Sequence, residues 1–305
     1  MSLKTSDYTF DSQIVRTIFA VALLVLTAGI MLWYENIHKN PSNVFWGMVR
    51  NNLSTYGVTR SITQDADAGV GFERSSKIAY IPEFSIEATT KLTQANQQQT
   101  TIVKTRSITK NGKTISSYRG IEGDRINKDK VTPLLNNWFE DNLSKDQIAE
   151  VVGLVPGYVA GSPPFVSLGH QSVLSELDAI KKDGTYRVDY SGAKKVSVDG
   201  KNALEFDVKV DVVGYLKMLS RISKSTGIDY TPINVENFNN NPPIELLMTV
   251  SINGKQLLKV TDKQTEREEK FSGYGAVSLI DLPKIDTSKA NIEKLLQKLI
   301  TSPAS

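Results

Sequence analysis

Few residues in this chain are equipped for chemistry. His38 and His170 are the two histidines among 305 residues, and there is no cysteine. That lack removes thiolate catalysis, disulfides, iron–sulfur clusters, cysteine-zinc sites and a lipidated N-terminal cysteine together. His170 lies in the loop "GSPPFVSLGHQ", near Ser167 and Ser172. A serine nucleophile on a strained elbow needs Gly-x-Ser-x-Gly. The string Phe165-Val166-Ser167-Leu168-Gly169 lacks the first glycine. The two histidines do not have metal-ligand spacing. Asp65 and Asp67 are spaced like the first ligands of an EF-hand loop, but its sixth and twelfth positions hold Val70 and Ser76 instead of Gly and Glu. Gly69-x-Gly71 is followed by Arg74, not a third glycine, so no dinucleotide fingerprint forms. The run "EREEK" at 266–270 reads as a solvated strand or turn. No catalytic residue, metal ligand or cofactor is therefore expected. A hydrolase whose site gathers from distant strands is kept as a second alternative. The 36 basic and 33 acidic residues are well mixed, so no basic stripe invites nucleic acid.

With little local chemistry, the weight falls on the elements. "FSIEATTKLTQ" alternates Phe84, Ile86, Ala88 and Leu92 with polar residues, the period of a strand with one buried face. "ALEFDVKVDV" does the same through Leu204, Phe206, Val208 and Val210, and "PIELLMTVSI" through Ile244, Leu246, Met248 and Val250. "TYRVDY" contributes Tyr186 and Val188. Asn111-Gly112, Asp199-Gly200 and Asn253-Gly254 supply the positive φ angles of two-residue hairpins, which argues for an antiparallel sheet. Helical periods cover 44–53, 172–182, 213–225 and 288–300, and two more lie in 131–155, with Ser144 and Gln147 as a capping box. For the first helix, Ser42 or Asn43 is the expected cap and Gly57 the stop. Its apolar face, Val44, Phe45, Met48, Val49 and Leu53, is expected to pack on the core. No Pro-rich linker or internal repeat divides the chain, so one α+β domain is expected.

Residues 17–34 carry no charge. As a helix they span ~27 Å, close to a bilayer core of about 30 Å. Arg16 closes one end; Trp33 and Tyr34 close the other, where rings sit at headgroup depth. Bulky residues follow, not the small residues of a signal cleavage site. The reading is a retained single-pass signal anchor at 17–34. A short cytoplasmic tail at 1–16 precedes it and a spacer at 35–43 follows. The main domain at 44–284 lies outside the cytoplasm, and an amphipathic helix and tail occupy 285–305.

"MVRNNLSTYGVTRSITQ" is a helix followed by a strand ending in Thr-Gln, and "FSGYG" leads through a strand to "LP" at 282–283. In this order the chain resembles the extracytoplasmic lipoprotein-carrier superfamily, the LolA/LppX/LprG-like proteins, over about 44–283. The resemblance implies a strongly curved antiparallel half-barrel covered on one side by helices, with an apolar concave space for acyl chains. Its implied ligand is a lipid, glycolipid or acylated molecule, held or presented in the cell envelope. Phe84, Ile86, Leu204, Phe206, Val208, Ile244, Leu246 and Met248 are the expected lining. Relatives are lipidated at a cysteine or soluble, whereas this chain keeps a protein anchor, which favours a tethered receiver over a diffusing shuttle. A tethered envelope interaction or sensor module, with a packed core and an envelope protein partner, is the first alternative.

Overall fold

Alternation along the sequence becomes sheet over most of the chain. The computed structural model describes residues 12–34, 39–64, 69–95, 100–110, 112–124, 126–141, 159–226, 235–276 and 280–300. The strands are β1 (Gly57–Gln64), β2 (Val70–Ala79), β3 (Ser85–Ala95), β4 (Thr100–Lys110), β5 (Lys113–Gly123) and β6 (Phe139–Asp141). They continue as β7 (Tyr186–Val188), β8 (Lys194–Val198), β9 (Lys201–Val210), β10 (Ile244–Ser251), β11 (Leu257–Asp262) and β12 (Glu268–Ser272). All twelve belong to one sheet of order β6-β5-β4-β3-β2-β1-β12-β11-β10-β9-β7, with β8 also on β9. Every strand pair is antiparallel. The expected α+β class and antiparallel sheet are what the chain forms. The sheet is open, with β6 and β7 ending the order.

The helices among the described residues are α1 (Ser12–Trp33), α2 (Pro41–Leu53), α3 (Lys128–Val131), α4 (His170–Lys182), α5 (Val212–Thr226) and α6 (Lys289–Ile300). α2 buries Val44, Phe45, Met48, Val49 and Leu53, the face its period predicts. Its start lies earlier than expected: Asn40 caps it, accepting from Ser42 N at 3.0 Å, and Pro41 occupies the first turn. There Pro lacks only an N–H that would have no helical partner. Gly57 opens β1 instead of stopping α2. α4 buries Val173, Leu177 and Ile180, and α5 buries Tyr215, Met218, Leu219 and Ile222. α2, α4 and α5 thus pack one cluster against β9, β10 and their neighbours. A second cluster joins Ile121 and Phe139 of the sheet to Val131, Leu134 and Ile292.

Three local expectations give way. At 131–141 the helical period yields only the end of α3, a 3-10 turn (Thr132–Leu134) and then β6. Ser144 and Gln147 lie outside the described residues. Asp199 and Gly200 take the expected positive φ, 49° and 75°, but at the next hairpin the positive φ falls on Lys255 (46°), not on the Asn-Gly pair. The β10–β11 register shifts between Thr249 and Val250, and in the turn Ser251 Oγ accepts from Gln256 N at 3.0 Å. Lastly, the acidic run at 266–270 is not solvated throughout, because Glu269 is buried.

α1 stands apart. All its described side chains, from Thr17 to Trp33, are exposed. Among the described residues no helix is long and apolar enough to cross a membrane, and the described side chains of α1 begin only at Thr17.

Candidate functional site

Residues directly opposite in an antiparallel ladder share a face, so the register defines what looks toward the helices. One row runs Ile62, Glu269, Val260, Met248, Phe206 across β1, β12, β11, β10 and β9. A second runs Phe72, Leu92, Val103, Ile121 across β2, β3, β4 and β5. Val58, Ile78 and Ile86 form a third on β1–β3. The opposite face carries cross-strand charge pairs such as Lys91 to Glu73 and Lys104 to Glu122, and it buries the paired Ile108 and Ile115 at β4–β5.

The helix-facing side is therefore buried at two places and not between them. At one end, Phe206 is fully buried, with its ring edge-on to Phe45 of α2 at 5.7 Å. At the other end, Ile121 is buried and Val103 packs beside it under α6 and the 3-10 turn. In the interval the Phe72–Ile121 row comes into the open: Leu92 is 41% exposed and Phe72 half-buried. The rows beside it carry small polar side chains, Thr90 with Thr105, and Ser107 with Ser116.

All eight residues expected to line a ligand space stand on or against the first cluster. Ile86, Leu204, Phe206, Val208, Leu246 and Met248 are buried in it, and Phe84 and Ile244 pack at its margin. Side chains of α2, α4 and α5 cover them. The open part of the face, at Phe72 and Leu92, is one that period alone does not single out.

Charge enters the same face at its centre. Arg60 Nε pairs with the Glu269 carboxylate, and both side chains are largely withdrawn from water. Arg74, opposite Ile62 on β2, donates from Nε to Ser76 Oγ at 3.2 Å. Burial pushes its guanidinium below the ordinary arginine value, and Arg60 beside it adds to the shift. Glu269 was legible in principle, since within β12 it shares the face of Phe271 two residues on.

His170 is the first residue of α4, and Ser167 makes an isolated bridge with Ser54. Both line a surface recess of about 360 Å³ with Arg50, Tyr56 and Ile81. Among the described residues no hydrogen bond joins Ser167 to His170, and no three acidic or histidine side chains gather as for a metal. His38, Asp65 and Asp67 lie outside the described residues. A second recess, of about 350 Å³, opens where α1 meets α2, between Trp33, Trp46, Arg50 and Lys255.

Fold and face define an α+β protein built on one open antiparallel sheet, with helices over one side and an uncovered apolar interval. A crystal structure of LprF from Mycobacterium bovis is similar, with a TM-score of 0.44 and 10% identity, over 80% of this chain and 96% of that one. No known family's profile matches the sequence, and no curated protein matches it.

Proposed function

We propose that this chain is a membrane-tethered binding protein that holds an apolar ligand, a lipid or acyl chain, against the helix-facing side of its sheet. The observation that carries the reading is the apolar row Phe72–Leu92–Val103–Ile121, buried at one end and open at Leu92. An apolar stripe between two packed clusters stabilises whatever apolar chain covers it, by roughly 25 cal/mol per Å² removed from water. The packed residues Phe206, Met248 and Leu246 form its wall; the ligand lies beyond them. Tethering is supported by α1. The described side chains of α1, Thr17–Trp33, are uncharged and exposed, and such an apolar helix needs an apolar surrounding. In this reading the N-terminus is cytoplasmic and the sheet domain works outside.

The test is native mass spectrometry of the full chain purified in mild detergent, with thermal melts in the presence and absence of a membrane lipid extract. A bound adduct is expected, with a lipid-dependent gain of about 2.7 kcal/mol at a hundredfold excess over Kd. Leu92→Glu should abolish that gain and leave the lipid-free stability within about 0.5 kcal/mol, because the position is exposed. Phe206→Ala should cost about 3–5 kcal/mol with or without lipid, as a packed core residue does. No adduct, together with no lipid-dependent shift, would overturn the reading in favour of a tethered interaction module.

A further inference from the structure

We propose that the recess between α1 and α2 is a binding site for the phosphate of an anionic phospholipid headgroup. The proposal rests on the anchor reading of α1, and it concerns a different part of the molecule from the apolar row on the sheet. The recess is lined by Trp33, Asn43, Trp46, Arg50 and Lys255, with Gly47 and Leu177 at its floor. Residues 43, 46, 47 and 50 form the face of α2 opposite the one that packs on the core. Among the described residues two cations and no acid line the space. Basic side chains such as Arg60, Lys104 and Arg221 meet a carboxylate. Among the described residues neither Arg50 nor Lys255 does.

Lys255 is placed there deliberately by its surroundings. Its backbone takes φ 46°, a conformation costly for a residue with a Cβ. Asn51 of α2 holds the turn, donating from Nδ2 to the carbonyls of Gly254 at 3.0 Å and Lys255 at 2.9 Å. Gly47, inside α2 where glycine weakens a helix, leaves a bare flank for the lysine stem. A methyl group at position 47 would run into Lys255 Cδ. The recess therefore keeps its ammonium at the expense of both a helix position and a backbone angle. The chemistry fits a phosphate diester, with a guanidinium fork and a mobile ammonium for the anion. Indole rings flank it, and Lys181 lies 5.0 Å above the Trp46 ring. Trp33 ends α1, so in an anchored chain this wall sits at the depth where lipid phosphates lie.

The experiment titrates the full chain, in a neutral detergent, with phosphatidylglycerol, phosphatidylcholine or inorganic phosphate, and counts bound molecules by native mass spectrometry. Phosphatidylglycerol should be retained in preference to phosphatidylcholine. Arg50→Gln and Lys255→Asn should each weaken it by about fivefold, with phosphatidylcholine unaffected. Gly47→Ala should also lose the preference while melting no lower than wild type, which separates a lost site from lost folding. Equal retention of the two lipids, or variants that retain phosphatidylglycerol as wild type does, would overturn the proposal. Binding of inorganic phosphate as tight as that of the lipid would overturn the headgroup assignment in favour of a free anion. Alkaline carbonate extraction of wild type from membranes reports separately on the anchor.

Discussion

Two tyrosines show how burial sets the pH range of this fold. Tyr186 lies in the first cluster with its ring 6.0 Å from Phe45, and among the described residues its hydroxyl has no hydrogen-bond partner. Tyr274 donates from its hydroxyl to the Leu257 carbonyl at 2.8 Å. Burial pushes both phenols well above their ordinary value. The folded chain then keeps protons that the unfolded chain releases above about pH 10, so the unfolded state binds fewer. Stability should hold below about pH 10 and fall as pH rises past it, by up to ~1.4 kcal/mol per unit for each phenol. Urea unfolding at several alkaline pH values measures this slope. Tyr186→Phe should lessen it and raise neutral-pH stability by about 1 kcal/mol, because an unsatisfied buried hydroxyl disappears.

Between elements, α4 and α5 are joined by one guanidinium. Arg221 Nε and Nη2 reach the Glu176 carboxylate at 3.0 and 2.8 Å, and Nη1 reaches Asp183 Oδ2 at 2.7 Å. Arg221→Lys keeps the charge but not the fork. It should cost about 1 kcal/mol in denaturant unfolding, discounted for the part of the side chain left in water. A loss no larger for Arg221→Met than for Arg221→Lys would show that packing, not the paired hydrogen bonds, matters there. This level of structure was partly open to sequence reading. Strands such as "ALEFDVKVDV" and the buried face of α2 follow from period alone, since alternation and the 3.6 repeat are the geometry of burial. The hairpin after β10 did not follow, because its left-handed residue is Lys255 and not the Asn-Gly pair. Nor did the open interval. Period tells which face of a strand turns inward, but which stretch of that face the helices reach depends on contacts between distant segments. Leu92 and Phe206 alternate alike in sequence, and one is open while the other is fully buried.

For the molecule as a whole, the decisive contrast is between a sheet domain with charge pairs on its outer face and an N-terminal helix whose residues 17–33 carry no charge. α1 exposes Phe19, Leu24, Val25 and Met31. Exposed apolar surface of that extent marks a contact with membrane or partner. Alkaline carbonate washing should leave the full chain in the membrane fraction. Protease added outside intact cells should digest the sheet domain and spare a fragment containing 17–34. Release by carbonate, or a domain cut only after lysis, would remove the anchor from the account.

The neighbouring of β1 and β12 sets a timetable for assembly. β1 begins only a few residues after α2, whereas β12 is the last strand among the described residues, yet the two pair over Thr59–Thr63. Their seam joins the first six strands to β7–β11. In the tethered reading proposed above, a chain that emerges in order holds β1 with one unpaired edge until β12 follows. Such an edge is a template for mispairing with other strands. Until β12 arrives, Glu269 is also missing, and Arg60 lacks the carboxylate it pairs with. That cation on an inward face is itself a guard against premature edge pairing, because another strand would have to bury it unneutralised. Completion of the seam and neutralisation of the charge are one event, so the arrival of the last strand both releases the guard and locks the two halves together.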